Sequence, residues 1–346
     1  MSLIPPACPK RMEYGPCGGV DFTGRCEVAE HRCVFLDVPA VRWAGIDHDP
    51  RQRPTPGART AGARDTLDLL ETRQIVVVDW PARALSVDSI DECAAALEGH
   101  VDAVLAGDAG TDRVQYPPAY RAHLIQRRGL RVWTGLNMRD RNRVALEGEL
   151  AALGVEGVAG VHCVTGDHTL SGHRPDAKPV FDLDSTEAAA LARSAGHLVS
   201  VAESPATPPV GERARRLGEK VAAGADICFV NHSGGVEPVR RFIGEVGAGR
   251  PTLAGFIPCV PIVIDRASAD LIASFTTLVL PDGFLERIVG AGDPEAEGVA
   301  LAVALSESFL ALPGVIGVNL SGGRLSGETR FAAALAKVAD RLGLHA

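Results

Sequence analysis

The chain has 346 residues, 46% of them hydrophobic, and a formal net charge of −8 at pH 7, which suits one large α/β domain with a small appendage. The acidic balance and the lack of a long basic run argue against nucleic acid and anionic membranes as partners. No apolar stretch is long enough to span a bilayer and the first residues lack the order of a signal peptide, so we expect a cytoplasmic protein.

Four of the eight cysteines lie close together at the start of the chain. Cys8, Cys17, Cys26 and Cys33 occur in a segment that is rich in glycine and proline. Such a segment cannot bury enough apolar surface to fold unaided, so we predict a metal-binding module over residues 1–40. Zn²⁺ held by four thiolates would supply the folding energy. A [4Fe-4S] cluster, disulfides and free thiols stay open, because the spacing is not that of paired C-x-x-C knuckles.

The next stretch, residues 41–70, is predicted to be a linker. Its centre reads RQRPTPGARTAGAR, which is rich in arginine, proline and glycine and shows no helical or strand period. Segments of this composition connect domains or lie over a surface.

From residue 71 to residue 346, apolar runs alternate with amphipathic segments of helical length. Eight such repeats predict a (β/α)₈ TIM barrel. An open doubly wound sheet is less favoured, because no G-x-G-x-x-G follows the first strand. The predicted strands are 75–78, 101–105, 130–134, 158–164, 197–202, 225–230, 252–257 and 315–320, and the predicted helices are 89–97, 118–127, 141–153, 186–194, 212–223, 236–246, 282–289, 294–312 and 327–342.

Polar residues follow most of the predicted strands, where a parallel barrel binds its ligands. Two strand ends stand out, namely the R-D-R-N turn with Asp140 and Asn142, and the T-G-D turn with Asp167. The alternative is that Asp140 caps a helix and Asp167 begins a turn. The residues that we expect at this mouth are Asp79, Asp108, Asn137, Asp140, Asn142, Asp167, Glu203, Asn231, His232 and Arg324.

The last predicted loop is the expected anion site. A glycine-rich turn after strand eight that opens a helix commonly binds phosphate in barrels, and Arg324 stands in this turn. A plain glycine-rich turn is the alternative. No G-x-S-x-G, H-E-x-x-H or Walker motif is present, so the sequence does not support a serine hydrolase, a zincin or a P-loop protein. His162, His168 and His173 lie close in sequence, but their spacing matches no common metal site.

Residues 135–168, GLNMRDRNRVALEGELAALGVEGVAGVHCVTGDH, resemble the core of methylenetetrahydrofolate reductases. That family shares the R-D-R-N turn, the helix and the strand that ends in a G-D pair. VDAVLAGDAGTDRVQYPPAYRAHLI and EKVAAGADICFVNH resemble its neighbouring segments, so the likeness covers nearly all of residues 75–342. CPKRMEYGPCGGV, with GRCEV and RCV, resembles a cysteine-rich module that is fused or partnered to these reductases and is associated with metal.

The resemblance implies a TIM-barrel oxidoreductase of one-carbon metabolism and methionine biosynthesis. It would transfer hydride from NAD(P)H to 5,10-methylenetetrahydrofolate and release 5-methyltetrahydrofolate. In such chemistry one carboxylate stabilises an iminium cation and a carboxylic acid supplies the proton that opens the ring. Asp167, in the matching G-D pair, takes the first role. Asp140 and Asn142 would order the mouth, and Lys220 matches a basic position used for flavin or nucleotide phosphate.

Four positions depart from the family's pattern. Its first strand ends in a glutamate, the acid of the mechanism, whereas here Asp79 takes that role one carbon shorter or one position displaced. Asn231 and His232 replace a threonine-glutamine pair, and Gly135 replaces a histidine. Because these changes fall on the flavin-facing and pterin-facing surface, we predict a flavin-free reductase in which NAD(P)H passes hydride directly, with FAD binding left open.

Two other functions stay open at this stage. One is a related folate enzyme that transfers a methyl or methylene group to or from another acceptor, with the cysteine-rich module as a docking or electron-relay site. The other is a non-catalytic folate-binding partner of a reductase. The sequence also leaves open a homo-oligomer or a complex with a partner reductase, and the choice between NADH and NADPH.

Overall fold

Eight parallel strands form a closed barrel in the computed structural model, which describes residues 8–45, 57–108, 112–249, 253–323 and 327–344. Each strand pairs with the next in the chain, and the last pairs with the first. The eight predicted strands are therefore confirmed as a (β/α)₈ barrel. They are β1 (Ile75–Asp79), β2 (Ala103–Ala106), β3 (Val132–Asn137), β4 (Gly160–Val164), β5 (Val199–Glu203), β6 (Ile227–Val230), β7 (Gly255–Ile262) and β8 (Gly317–Gly322).

Helices surround the barrel and connect its strands. Three of them lie between β7 and β8, and the first of these, α8, is not among the predicted helices. Within the described residues no helix is both long and apolar enough to cross a membrane. The helices are α1 (Ala61–Thr72), α2 (Val87–Leu97), α3 (Pro118–Gln126), α4 (Arg143–Glu156), α5 (Ser185–Ser194), α6 (Arg213–Ala223), α7 (Val236–Ala248), α8 (Arg266–Ala273), α9 (Phe284–Val289), α10 (Pro294–Leu310) and α11 (Glu328–Leu342).

The apolar core has two layers because side chains alternate along each strand. In β1, Val76 and Val78 belong to the large cluster between sheet and helices. Ile75 and Val77 belong to the smaller cluster that fills the barrel, together with Trp133. This is why the strands read as continuous apolar runs in the sequence.

Helix α1 lies in the stretch that we predicted to be a linker. Thr60 caps it by accepting a hydrogen bond from the backbone N–H of Ala63, and Ala63 packs with the residues that fill the barrel. Gly62 faces backbone, since a Cβ added there would lie 2.2 Å from the carbonyl oxygen of Gly157. The buried residues of this helix are glycine, alanine and threonine, so the segment shows no apolar period.

The cysteine-rich module packs against helices α5 and α6. Tyr14 and Trp43 form an edge-to-face pair with ring centroids 5.1 Å apart, and they pack with Ala190 and Ala223. The backbone N–H of Trp43 also donates to Glu219 Oε2 at 2.6 Å. The regular structure described in the module consists of two isolated β-bridges and one short 3₁₀ turn, Val34–Leu36.

We predict that Gly62→Ala lowers the free energy of unfolding by about 1 to 3 kcal/mol, because the new methyl group overlaps backbone that cannot move aside easily. Gly148→Ala in α4 is the matched control. A Cβ at Gly148 meets nothing within 4 Å, so this variant should gain about 0.5 to 1 kcal/mol from helix propensity. Urea unfolding of both variants measures the difference, and equal effects would show that α1 does not approach the barrel this closely.

Candidate functional site

A cavity of about 320 Å³ lies between the module and the carboxyl ends of the barrel strands. We call it the junction cavity. One wall comes from the module and the other from β2, β4, β5 and β6 and the loops that follow them. The module contributes Lys10, Cys17 and Glu27 among others, and the barrel contributes Asp108, Asp167, Glu203, Lys220 and Asn231 among others.

Asp167 is the most open carboxylate of those that we describe in this cavity. Its side chain is 63% exposed, and its ion pair with Arg113 Nη2, at 3.8 Å, is beyond hydrogen-bond distance. The ammonium of Lys10 in the opposite wall interacts with it electrostatically. A carboxylate in this setting keeps its charge available for a cationic ligand.

The R-D-R-N turn is organised by a residue that our sequence reasoning missed. Arg139 is fully buried, and its guanidinium forms a two-point ion pair with Asp140, with both N–H···O distances 2.7 Å. The third nitrogen, Nη1, donates to Asp108 Oδ2 at 2.7 Å. Asn137 Nδ2 donates to the other oxygen of Asp108 at 2.9 Å. Asp108, Asn137 and Asp140 are therefore brought together at the mouth around one cation.

Asn142 has a structural role that differs from the roles of Asp108, Asn137 and Asp140. Its side chain caps helix α4 by accepting a hydrogen bond from the backbone N–H of Ala145 at 3.1 Å. The capping role that we considered for Asp140 thus belongs to Asn142.

Glu203 forms the buried floor of the junction cavity. Lys220 Nζ donates to it at 2.9 Å and Arg213 Nη1 at 3.2 Å, and all three side chains are almost fully buried. Burial alone would raise the pKa of Glu203, but Lys220, Arg213 and Arg216 outweigh it, so that pKa is lowered. Lys220 also donates to the carbonyl of Ala202 at 2.6 Å.

Arg213 also links the module to the Glu203 floor of the cavity. The same Nη1 that contacts Glu203 donates to the carbonyl oxygen of Cys17 at 3.2 Å. Nearby, Gly15 takes a positive φ of 138°, and a Cβ there would lie 2.6 Å from Arg216 Cδ. The module therefore approaches α6 more closely than a residue with a side chain would allow.

Asp79 lies on the opposite side of the barrel and is outside the lining of the junction cavity. Its Oδ1 accepts a hydrogen bond from Asn319 Nδ2 at 2.9 Å, and the backbone N–H of Gly322 also donates to the carboxyl. Burial raises the pKa of Asp79 to about 6, although both hydrogen bonds lower it. Asp79 therefore holds its proton more readily than an exposed aspartate does.

The remaining residues that we predicted at the mouth do not all line the junction cavity. Asn231 lines the junction cavity, whereas His232 is buried and its Nε2 lies 2.7 Å from Ser321 Oγ. Burial lowers the pKa of His232 to about 4, so it is neutral at pH 7. His162 lies inside the barrel with its Nδ1 2.9 Å from Ser200 Oγ. Arg324 lies outside the described residues.

The four module cysteines line one small second cavity. All four are free thiols, so no disulfide joins them. Backbone N–H groups donate to their sulfurs from Gly19 to Cys17, from Lys10 and Met12 to Cys8, and from Phe35 to Cys33. Nevertheless, across the described ranges no three His, Cys, Asp or Glu side chains are arranged closely enough to hold a metal ion.

The profile of a family described as "Methylene-tetrahydrofolate reductase C terminal" matches residues 3–44, a range that includes the first four cysteines. No curated protein sequence matches the chain significantly. Among solved structures, tryptophan synthase from Mycobacterium tuberculosis is similar with a TM-score of 0.48 and 14% identity, covering 84% of this chain and 99% of that one.

Two further similar structures come from other enzymes. An oxaloacetate acetylhydrolase has a TM-score of 0.46 and 14% identity, covering 75% of this chain and 80% of that one. A 2,3-dimethylmalate lyase has a TM-score of 0.46 and 16% identity, covering 75% and 81%. At such identities a likeness concerns the fold alone. The class that the observations define is a TIM-barrel protein whose N-terminal segment lines a cavity at the carboxyl ends of the strands.

We predict that Asp79 adds a pH-dependent component to stability. Its pKa rises from 3.8 to about 6 on folding, so the folded chain binds this proton more tightly than the unfolded chain. The free energy of unfolding should therefore fall as the pH rises through this window, and Asp79→Asn should lack that fall. Urea unfolding of wild type and variant between pH 4.5 and 7.5 measures it, and parallel curves would contradict the raised pKa.

Proposed function

We propose that the protein reduces 5,10-methylenetetrahydrofolate to 5-methyltetrahydrofolate with hydride from NAD(P)H. The observation that carries this proposal is the open Asp167 carboxylate, which stands at the end of β4 in the junction cavity. The match of the module to a reductase family and the resemblance of residues 135–168 to the reductase core support it. Both the oxidoreductase class and the folate substrate are therefore part of the proposal.

The chemistry needs one proton and one hydride. A carboxylic acid protonates N10 of the folate, the carbon–nitrogen bond to N10 breaks, and an iminium cation forms at N5. Asp167 stabilises that cation electrostatically. Hydride from C4 of NAD(P)H then adds to the methylene carbon, which gives the methyl group and NAD(P)⁺.

Asp79 is the better candidate for the acid. Its pKa is raised to about 6, whereas the pKa of Glu203 is lowered by its cationic partners and Glu203 stays ionised. Because Asp79 lies outside the lining of the junction cavity, the substrate has to extend across the mouth from β4 towards β1. A general acid with a pKa near the working pH is the most effective one.

The proposal that hydride passes directly from NAD(P)H rests on the departures from the family's pattern at Gly135, Asn231 and His232. The cavity is at the small end of the range of ligand sites, about 300 to 1,000 Å³. In its lining, Lys10 is paired with Glu27 and Lys220 with Glu203. Arg216 forms an ion pair with Asp184, but its Nε and Nη2 have no hydrogen-bond partner among the described residues.

We propose that the module binds one metal ion through Cys8, Cys17, Cys26 and Cys33. The described side chains are not arranged to hold an ion, so the proposal requires the four thiols to come closer together on binding. The four thiols line one cavity and three of them accept backbone N–H donors, which is how proteins stabilise metal-bound thiolates. Zn²⁺ would supply a structural cross-link when bound. A [4Fe-4S] cluster would be held by the same four residues.

One observation favours a second function. Cys17 lines both the junction cavity and the cysteine cavity, so a metal on this thiolate would lie beside the folate site. A related folate enzyme that transfers a one-carbon group to or from another acceptor would use that closeness. Iron with a visible cluster absorption in the purified protein would favour this alternative.

We expect Asp167→Asn to lower kcat for NAD(P)H oxidation with methylenetetrahydrofolate by about a hundredfold with little change in KM, because the lost charge acts on the cation and not on the ground state. Asp176→Asn is the control, since Asp176 is an exposed loop carboxylate paired with Arg174. If both variants keep the wild-type rate, Asp167 is not the stabilising group. If wild type binds folate without turnover, the protein is a folate-binding partner and not a reductase.

We further predict that Cys33→Ser loses the metal, because a structural site of this kind needs all four ligands. Cys93→Ala, at a buried cysteine of helix α2, is the control and should keep it. Elemental analysis of the purified full-length chains gives the metal content directly. Equal metal in both variants, or none in wild type, would contradict a four-cysteine site.

A further inference from the structure

Asn319 is the side chain that holds Asp79. It lies on β8 and is 1% exposed. Its Nδ2 donates to Asp79 Oδ1 at 2.9 Å and lies 3.6 Å from Cys259 Sγ on β7. Asp79, Cys259 and Asn319 thus form one cluster at the end of the barrel interior, which we call the β1–β8 cluster.

The other end of the same amide has no partner among the described residues. Asn319 Oδ1 is buried and accepts no hydrogen bond. A buried carbonyl oxygen without a donor is costly. Hence the contacts that orient this amide among the described residues are those of Nδ2 with Asp79 and Cys259.

Asn319 acts on Asp79 through its amide nitrogen. Nδ2 donates to Oδ1 of Asp79, and a donor at this place stabilises the ionised carboxyl group. Burial raises the pKa of Cys259 to about 12, so its thiol keeps its proton and adds no charge beside Asp79.

The other groups that face Asp79 do not favour either state through a full charge. Gly322 contributes a backbone N–H from β8. Cys259 is a neutral thiol, and His232 on the neighbouring β6 side is neutral at pH 7 and contacts Ser321. The amide of Asn319 is therefore, with the backbone N–H of Gly322, the group that acts on Asp79 directly.

We propose that Asn319 is the positioning residue for Asp79, and that it holds the carboxyl group in one place through the hydrogen bond from its Nδ2. As a statement about catalysis this rests on the proposed function, in which Asp79 gives the proton that opens the ring. The hydrogen bond from Nδ2 favours the ionised form, so its loss shifts Asp79 towards the protonated form.

The test is a double-mutant comparison of unfolding against pH in the full-length protein. Asn319→Leu removes the amide and keeps its approximate volume, and Asn319→Ser serves if the leucine variant does not fold. We expect either variant to move the pH at which stability falls upward by about one unit. The same substitution in the Asp79→Asn background should leave the shape of the curve unchanged. An unmoved curve, or an equal movement in both backgrounds, overturns the proposal.

Turnover provides the second readout. If Asp79 is the acid, activity falls as pH rises through its pKa, and Asn319→Leu should carry that fall to higher pH while lowering kcat. A merely structural role would lower the rate equally at every pH, which overturns the positioning role. A wild-type protein without turnover contradicts the proposed function, but the unfolding comparison still decides whether Asn319 controls the Asp79 proton.

Discussion

The buried Glu203 carboxylate needs cationic partners, because an unpaired charge in a protein interior is strongly destabilising. Lys220 and Arg213 meet this need from helix α6, and Arg213 also binds the Cys17 carbonyl. The same cation therefore stabilises the barrel floor and holds the module at the mouth. The junction cavity depends on this arrangement, since one of its walls consists of module residues.

The module thus forms part of the proposed active site and does not merely accompany it. Lys10 and Cys17 reach the junction cavity from a segment that has little regular structure. The proposed metal would fix the backbone on both sides of these residues, as structural metals do in small domains. Asp79 lies across the mouth from this wall, so the two carboxylates of the mechanism lie on different sides of the barrel, one exposed and one half-buried.

The barrel was predictable from the sequence because buried parallel strands leave continuous apolar runs. Helix α1 was not, since its contact with the barrel depends on Gly62 and Ala63 and not on large apolar residues. From the predicted strand ends we placed Asp108, Asn137 and Asp140 at the mouth of the barrel. We did not predict Arg139, the buried cation that they surround. The only indication of Arg139 in the sequence is an arginine next to an aspartate. Contacts between distant segments, such as that of Arg213 with Cys17, leave no local pattern in the sequence.

The most direct test of direct hydride transfer follows a deuterium label. Freshly purified protein is examined for flavin absorption, then mixed for one turnover with methylenetetrahydrofolate and NAD(P)H that carries deuterium at the transferred position of C4. Our account predicts a colourless protein and deuterium in the methyl group of the product. A yellow protein with the label lost to water would contradict it, because hydrogen on a reduced flavin nitrogen exchanges with solvent before it reaches the folate.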